Sequence, residues 1–206
     1  MNKKKVLLMG LVCATAVVFG AQVRGDATEE IKRLAELMGW KAGTVVADIG
    51  AGDGKYTLAA VEWVGAAGKV FATEIDAKKL AELREEVAKR KLGNVIVEVS
   101  KEAETNLPAG CCDAIFLRRV YHHLTKPAEF DASLVRSLKP GGRLAIIDFA
   151  PRAAGLEPVE GVPSNRGGHG IPQKIAIEEL SAAGLQVEKI VNDWPEDSYC
   201  VLFVKR

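Results

Sequence analysis

Two acidic side chains at the ends of short apolar runs are well placed to bind a ligand. The first run, residues 45–49, contains Asp48 and leads into a turn with three glycines at alternate positions. Glycine lacks a Cβ and accepts positive φ angles, so a ligand can approach such a turn closely. The second run, residues 69–73, ends at Glu74. A carboxylate at that point can accept hydrogen bonds from both hydroxyls of a ribose.

The kind of ligand follows from the charges around the glycine turn. A carboxylate at Asp48 would repel a pyrophosphate and attract an amino or sulfonium group. The dinucleotide fingerprint G-x-G-x-x-G needs a third glycine where this chain has Lys55. The pattern therefore predicts a site for a nucleoside with a cationic tail.

The elements that must position these residues alternate along the chain. An apolar strand, a tight turn and a helix recur, which is typical of a doubly wound sheet with its ligand at the carboxyl ends of the strands. We expect an α/β, Rossmann-like fold with seven strands, mostly parallel with the last antiparallel, and helices on both faces. The predicted strands are 45–49, 69–74, 95–99, 113–117, 143–149, 186–194 and 199–205, and the predicted helices are 28–39, 56–64, 77–91, 127–138 and 172–183.

Four stretches of this chain resemble one family. The segments D-I-G-A-G-D-G (48–54) and T-E-I-D (73–76) resemble motifs I and II of the class I S-adenosylmethionine-dependent methyltransferases. The segments C-D-A-I-F-L-R-R-V-Y-H-H-L and L-K-P-G-G-R-L-A-I-I-D-F resemble that family's fourth-strand and fifth-strand motifs. The match runs through residues 30–206 in order and is nearest the small-molecule branch, similar to ubiquinone/menaquinone-type enzymes. It implies an S-adenosyl-L-methionine cofactor and a small-molecule methyl acceptor.

The resemblance also implies which residues contact the cofactor. Asp48 would meet the amino group of the methionine part, Glu74 the ribose hydroxyls and Ile75 the adenine. The common Gly-Asp pair after the third strand is replaced by Ser100-Lys101, so Glu102 is the candidate for the adenine contact. The implied cofactor set is Asp48, Gly50, Ala51, Gly52, Gly54, Tyr56, Glu74, Ile75, Glu102 and Arg118. Arg118 and its neighbour Arg119 could meet the cofactor carboxylate or an anionic acceptor.

Histidines are the candidates for moving a proton from the acceptor, because imidazole titrates near neutral pH. His122 and His123 follow the fourth predicted strand, and His169 lies in a Gly- and Pro-rich stretch, 151–172, typical of a lid. We expect His122 or His123 in the pocket and His169 on the lid, with Tyr121 orienting the acceptor. The chain has no H-x-H or H-x-x-x-H spacing, so no metal site is predicted.

Charge and length limit the other classes of partner. The chain has 206 residues and a net charge of +1, with acids and bases interspersed, which disfavours nucleic acid as a partner. Nor does the fourth strand end in the Asn/Asp-Pro-Pro-Tyr pattern that is typical of enzymes that methylate nucleic acid bases. Two other readings remain, an exported module that binds S-adenosylmethionine without turnover and, less favoured, an NAD(P)-dependent oxidoreductase.

The N-terminus has the pattern of a secretory signal peptide. Three lysines at 3–5 precede an apolar run, 6–19, and then small residues. We expect residues 1–25 to be a signal peptide or an N-terminal anchor, and residues 26–206 to be a single methyltransferase domain. Export to the periplasm or another extracytoplasmic compartment follows, with no stable membrane insertion once the signal is removed. A membrane-anchored or cytoplasmic chain is the alternative, and export conflicts with the cytoplasmic origin of S-adenosylmethionine.

Overall fold

The computed structural model describes residues 18–151, 157–196 and 198–206. Within this part of the chain, seven strands form one sheet in the order β3-β2-β1-β4-β5-β7-β6. The strands are β1 Val45–Ile49, β2 Lys69–Glu74, β3 Val95–Val99, β4 Cys112–Arg118, β5 Leu138–Phe149, β6 Leu185–Trp194 and β7 Ser198–Lys205. The α-helices are α1 Val18–Met38, α2 Lys55–Val64, α3 Ala77–Lys89, α4 Pro127–Ser137 and α5 Gln173–Ala182.

The strand order reverses direction between β1 and β4. Strand β1 pairs in parallel with β2 on one side and with β4 on the other. Strands β2 and β3 therefore lie on one side of β1, and strands β4 to β7 lie on the other side. A crevice forms at the carboxyl ends of the strands at such a reversal, which is where doubly wound sheets bind ligands.

The predicted fold class is confirmed, including the antiparallel strand. Strand β7 is inserted between β5 and β6 and runs antiparallel to both. Two elements extend further than the sequence pattern predicts. Strand β5 begins at Leu138 because Cys112 pairs with that residue across an irregular step in the β4–β5 ladder. Helix α1 begins at Val18, ten residues before the predicted start at 28.

Helices cover both faces of the sheet, as the apolar patterning predicts. One core cluster joins α1 and α2 to the strands and includes Ile31, Leu34 and Phe116. The other joins α4 and α5 to the opposite face and includes Leu134 and Leu180. Strands buried on two sides read as continuous apolar runs, which explains the patterns in β1, β2 and β4.

The edge strand β6 differs from the central strands. Most of its residues are exposed, including the apolar side chains of Val187 and Ile190. Its pairing with β7 shifts register between Val187 and Lys189, and again between Val191 and Trp194. These irregularities twist the edge of the sheet.

No helix in the described residues is both long and apolar enough to cross a membrane. The predicted signal segment, residues 1–25, lies mainly outside the described residues, which start at Val18.

Candidate functional site

A cleft of about 460 Å³ opens at the carboxyl ends of the central strands. Its walls come from the ends of β1, β2 and β4 and from the segments that follow β3 and β4. The lining residues used below are Gly50, Gly52, Glu74, Ile75, Lys79, Ser100, Lys101, Glu102, Arg118, Arg119, His123 and Thr125. The crevice expected at the reversal of strand order is therefore present, and it contains seven of the fourteen predicted site residues.

Glu74, the last residue of β2, holds its carboxylate in a fixed orientation. Its Oε2 accepts a hydrogen bond from the N–H of Gly52 at 2.8 Å. Its Oε1 accepts from the backbone N–H groups of Ile75 at 2.8 Å and Asp76 at 2.9 Å. A carboxylate oxygen has two lone pairs, so Oε2, which accepts one hydrogen bond, retains capacity for a hydroxyl donor, whereas Oε1 already accepts two. This geometry fits the predicted contact with a ribose.

The three turn glycines serve different purposes. All three have positive φ angles. A Cβ on Gly50 would lie 2.5 Å from Val120 Cγ2, and one on Gly54 would lie 2.3 Å from Leu83 Cδ1. At Gly52 the corresponding space is open. Gly50 and Gly54 are therefore required for packing within the protein, and Gly52 is the position where a ligand can approach the backbone.

Asp48 lies behind the cleft wall and not on it. The residue is 3% exposed, and its Oδ2 accepts a hydrogen bond from Thr57 Oγ1 in α2 at 2.6 Å. Burial raises the pKa of Asp48 to about 7. The hydrogen bond from Thr57 opposes this shift, and the nearby charges of Glu74 and Asp53 add to it. A cationic group of a ligand beside this carboxyl would favour its ionised form.

The adenine end of the predicted site is formed by both exposed and buried residues. Ile75 is 57% exposed, an unusual position for an apolar side chain, and it lines the cleft. Ser100 also lines the cleft and is buried. Glu102 lies there as well, with its carboxylate 3.5 Å from Lys126 Nζ. Glu102 therefore lies in the cleft next to Ser100 and Lys101, which stand where the resembled family commonly has a Gly-Asp pair.

Arg118 lines the cleft but its guanidinium is bound by other protein groups. Its Nε donates to Glu30 of α1 at 2.8 Å, and its Nη2 donates to Glu196 at 3.0 Å. Glu30 also accepts from the Tyr56 hydroxyl and from Trp194 Nε1, both at 2.7 Å. We call this group the Glu30 junction. It ties α1 to α2, β4 and the β6–β7 turn.

Besides Asp48, three of the residues implied by the resemblance lie outside the cleft. Tyr56 is committed to the Glu30 junction and faces a separate pocket. Ala51 packs against Ala72 and Leu83 in a small core cluster. Gly54 lies behind the same cluster, where Leu83 occupies the space of the missing Cβ. Direct contact between these three residues and the cofactor does not follow from this geometry.

The three histidines form one cluster, as their placement in the sequence predicts. The ring centroids of His122 and His123 are 4.0 Å apart, and those of His122 and His169 are 5.2 Å apart. Phe149, at the end of β5, completes the cluster with its ring centroid 4.9 Å from that of His122. His169 lies in the segment that follows β5, at the position where a lid was expected.

His122 is buried and is oriented by an acid. Its Nδ1 lies 2.8 Å from Asp148 Oδ1, and its backbone N–H donates to Asp148 Oδ2 at 3.1 Å. Its Nε2 is buried without a hydrogen-bond partner. Because Asp148 accepts a hydrogen bond from Nδ1–H, the imidazole adopts the tautomer in which Nε2 carries the lone pair. Nε2 of His122 can therefore accept a proton.

His123 is the histidine that lines the cleft. The side chain is exposed to solvent, but its ring lies against the ring of His122, and neighbouring protein groups partly desolvate it. This desolvation and the adjacent His122 lower the pKa of His123 to about 4, against the opposing effect of Asp148. The side chain is therefore neutral at physiological pH and can accept a proton.

Tyr121 is not at the cleft, in contrast to the expectation that it orients an acceptor. The residue is fully buried, and its hydroxyl oxygen lies 2.9 Å from both Asp131 Oδ2 and Glu179 Oε2. Arg166 lies against its ring and donates to the carbonyl oxygens of Tyr121 and Leu124. Successive residues of the short 3₁₀ helix Tyr121–His123 point in different directions, which directs Tyr121 into the core and His123 to the cleft.

Groups of three or more metal-ligating side chains that could hold an ion were not found in the described part of the chain. The three cysteines that the structure describes, Cys111, Cys112 and Cys200, are free thiols.

Asp148 and Thr57 are the site residues that sequence reasoning missed, and Arg119 was left open between the cofactor carboxylate and an anionic acceptor. Asp148 could have been found, because an acid near the end of an apolar strand is the same signal that identifies Asp48 and Glu74. Thr57 lies in an ordinary helical pattern with no distinguishing signal. Arg119 has φ 55°, a conformation that non-glycine residues adopt rarely and that recurs at functional sites.

The strand order, the cleft and its strand-end acids define the fold of the class I S-adenosylmethionine-dependent methyltransferases. Residues 47–146 match the family model described as a methyltransferase domain. A crystal structure of a SAM-dependent methyltransferase from Aquifex aeolicus aligns with 90% of this chain and 96% of that chain, at 29% identity and a TM-score of 0.72. The resemblance that the motifs indicated is confirmed in both sequence and fold.

The curated relatives include enzymes that act on small molecules. The ubiquinone/menaquinone biosynthesis C-methyltransferase UbiE of Pseudomonas paraeruginosa is 30% identical over 122 residues, which cover 59% of this chain and 48% of that protein. The 27-O-demethylrifamycin SV methyltransferase of Amycolatopsis mediterranei is 28% identical over 165 residues, which cover 76% of this chain and 59% of that protein. The matched region thus spans about half the length of these relatives.

Proposed function

We propose that this protein transfers a methyl group from S-adenosyl-L-methionine to a small-molecule acceptor. The observation that carries the proposal is the Glu74 carboxylate, held by three backbone N–H groups beside the open space at Gly52. Two further features support it: the matches to methyltransferases that act on small molecules, and the histidine cluster at the other end of the cleft.

The roles of the residues follow from their positions. Glu74 would accept from the ribose hydroxyls, and the exposed side chain of Ile75 would be covered by the adenine. Asp48 would compensate the charge of the amino group of the methionine part from behind the turn. Bound S-adenosylmethionine would supply a methyl group made electrophilic by its sulfonium. His123 would receive the proton that the acceptor loses, with His122 and Asp148 behind it.

The test is binding of the cofactor by a matched pair of variants. Calorimetry with S-adenosylmethionine, S-adenosylhomocysteine and NAD should give binding of the first two ligands and none of the third. Glu74→Gln should weaken both by about tenfold, because it removes a charge that accepts hydrogen bonds. Glu85→Gln, on the exposed side of α3, should change nothing. Binding of NAD in place of the two adenosyl ligands would support the oxidoreductase reading instead.

Turnover separates an enzyme from a binding module. Cofactor labelled in the methyl group, incubated with a metabolite extract and the protein, should yield labelled small molecules. His123→Ala should lower this turnover far more than it lowers cofactor affinity. Tight binding with no labelled product from any extract would favour the non-catalytic module.

We propose further that residues 1–25 direct export of the chain. The support is the sequence pattern of lysines 3–5, the apolar run 6–19 and the small residues that follow. Fusion of residues 1–25 to alkaline phosphatase in a bacterial host should give activity outside the cytoplasm, and replacing the three lysines by glutamate should reduce it. Release of the mature protein by osmotic shock distinguishes a cleaved signal from an anchor. Activity confined to the cytoplasm would refute export.

A further inference from the structure

The cleft contains polar groups that neither the fold nor the cofactor contacts above explain. In the described residues, seven buried side-chain nitrogen or oxygen atoms have no hydrogen-bond partner. Arg119 Nε and Thr125 Oγ1 are two of these atoms, and both residues line the cleft. A third, His122 Nε2, belongs to the neighbouring histidine cluster. A buried donor without a partner costs about 1–3 kcal/mol, and a ligand that supplies the partner would recover this cost.

Arg119 differs from the adjacent Arg118 in what its guanidinium can still bind. Arg118 uses Nε on Glu30 and Nη2 on Glu196. Arg119 uses Nη2 on the backbone oxygen and the carboxylate of Glu196, and its Nε remains free of protein partners. The plane of an arginine offers its donors to a carboxylate or another oxyanion.

The surroundings of Arg119 place it beside the histidines and away from the adenine end. Its guanidinium carbon lies 5.6 Å from the centroid of the Phe149 ring, and that ring contacts His122 and His169. Arg119 directly follows β4 and has a backbone φ of 55°, in the left-handed region. Arg118 and Arg119 both pair with Glu196, and Arg118 is also neutralised by Glu30, so Glu196 is the carboxylate that Arg119 shares.

Building on the proposed function, we propose that the methyl acceptor carries an anionic oxygen group, of which a carboxylate is the simplest case, bound by Arg119 Nε–H and the Thr125 hydroxyl. The arrangement puts the bound anion and the proton acceptor at the same end of the cleft. In the transfer, the acceptor atom forms a bond to the methyl carbon while the carbon–sulfur bond breaks. The electron pair goes to sulfur, which becomes a neutral thioether, and the acceptor's proton goes to a histidine.

The test uses two probes that differ in charge, benzoate and benzamide. Each is titrated into the full chain saturated with S-adenosylhomocysteine. Benzoate should bind at least about tenfold more tightly than benzamide, as expected for a charge-assisted hydrogen bond. Arg119→Met should remove this preference, and Thr125→Val should reduce it. Arg90→Met, which breaks a surface ion pair with Glu86 at the C-terminal end of α3, and Thr125→Ser, which retains the hydroxyl, should preserve it.

The outcomes that overturn the inference are equal binding of the two probes, no binding of benzoate at millimolar concentration, or a preference that survives Arg119→Met. Methionine has a Cβ as arginine does, so the variant meets the same backbone strain, and a thermal melt checks that it folds. Loss of S-adenosylhomocysteine binding by the unmodified chain would refute the proposed function itself. In that case the same titration of the chain without cofactor still decides whether Arg119 selects an anion.

Discussion

At the scale of single residues, the site depends on acids whose charge is controlled by their surroundings. Asp48, Glu74 and Asp148 each lie near the carboxyl end of a parallel strand, yet they meet different partners. Glu74 is bound by backbone N–H groups, Asp48 by a hydroxyl and Asp148 by an imidazole and a backbone N–H. A carboxylate near the carboxyl end of a strand therefore serves three different purposes in this domain.

The raised pKa of Asp48 predicts that cofactor affinity depends on pH. Because burial raises this pKa to about 7, the carboxyl is largely neutral below that pH and ionised above it. An amino cation of the ligand is stabilised only by the ionised form. Affinity for S-adenosylmethionine should therefore rise between about pH 6 and pH 8, by up to tenfold per unit below the pKa.

Calorimetry over that pH range checks this prediction with two variants. Asp48→Asn should bind weakly at every pH and show a flat profile. Asp53→Asn, which alters the exposed acid of the same turn, should keep the slope. A slope that persists in Asp48→Asn would assign the titration to another group.

Asp148 is predicted to act by positioning His122. Asp148→Asn should favour the wrong tautomer of the imidazole and lower kcat by about two orders of magnitude or more. The affinity for S-adenosylhomocysteine should stay unchanged, because Asp148 does not line the cleft. The pH profile of kcat should also shift in Asp148→Asn, which a merely structural loss would not cause. Equal losses in kcat and cofactor affinity would contradict a positioning role.

At the scale of elements, the glycine turn connects β1 to α2, and its Gly54 packs against Leu83 of α3. Gly54→Ala should destabilise the fold more than Gly43→Ala does. Both residues have positive φ angles and incur the same kind of backbone strain, but the new Cβ at position 54 meets Leu83 and at position 43 meets nothing. The difference in the free energy of unfolding should be about 1–3 kcal/mol, measured with denaturant. Equal losses would mean that Leu83 moves aside freely.

The sequence predicts these elements well because their signals are periodic and local. Apolar strands such as Val95–Val99 were predicted with the observed bounds. The start of β5 at Leu138 was missed, since its pairing with Cys112 depends on an irregular ladder that no local pattern encodes. Helix α1 was predicted too short, because residues 18–27 carry no separate helical signal beside the apolar N-terminal run.

The site was predicted less completely, because spacing gives a residue's place along an element but not the direction of its side chain. Glu74 and Ile75 end or follow β2 and reach the cleft. Asp48 is one residue short of the end of β1 and is directed under the turn to Thr57. Tyr121 and His123 are two residues apart and still face opposite environments. The partners of such residues come from distant segments, which only the folded chain brings together.

At the scale of the whole molecule, the Glu30 junction connects the N-terminal helix to the rest of the domain. Glu30→Gln should lower the free energy of unfolding by about 3 kcal/mol, because Arg118 then loses a buried charge partner. Hydrogen exchange should be faster throughout α1. Glu36→Gln, an exposed substitution on the same helix, should leave both quantities unchanged. Unaltered exchange in Glu30→Gln would show that apolar packing alone holds the helix.

The irregular edge strand β6 has a consequence for how the protein behaves at high concentration. An incoming strand needs a long, flat row of free backbone groups to extend a sheet. The two register shifts in β6 interrupt and twist that row, and Glu188 and Lys189 place charges between its exposed apolar side chains. Edge-to-edge pairing of sheets, which can start fibril growth, is therefore disfavoured on this side by the backbone geometry, even though Val187 and Ile190 are exposed.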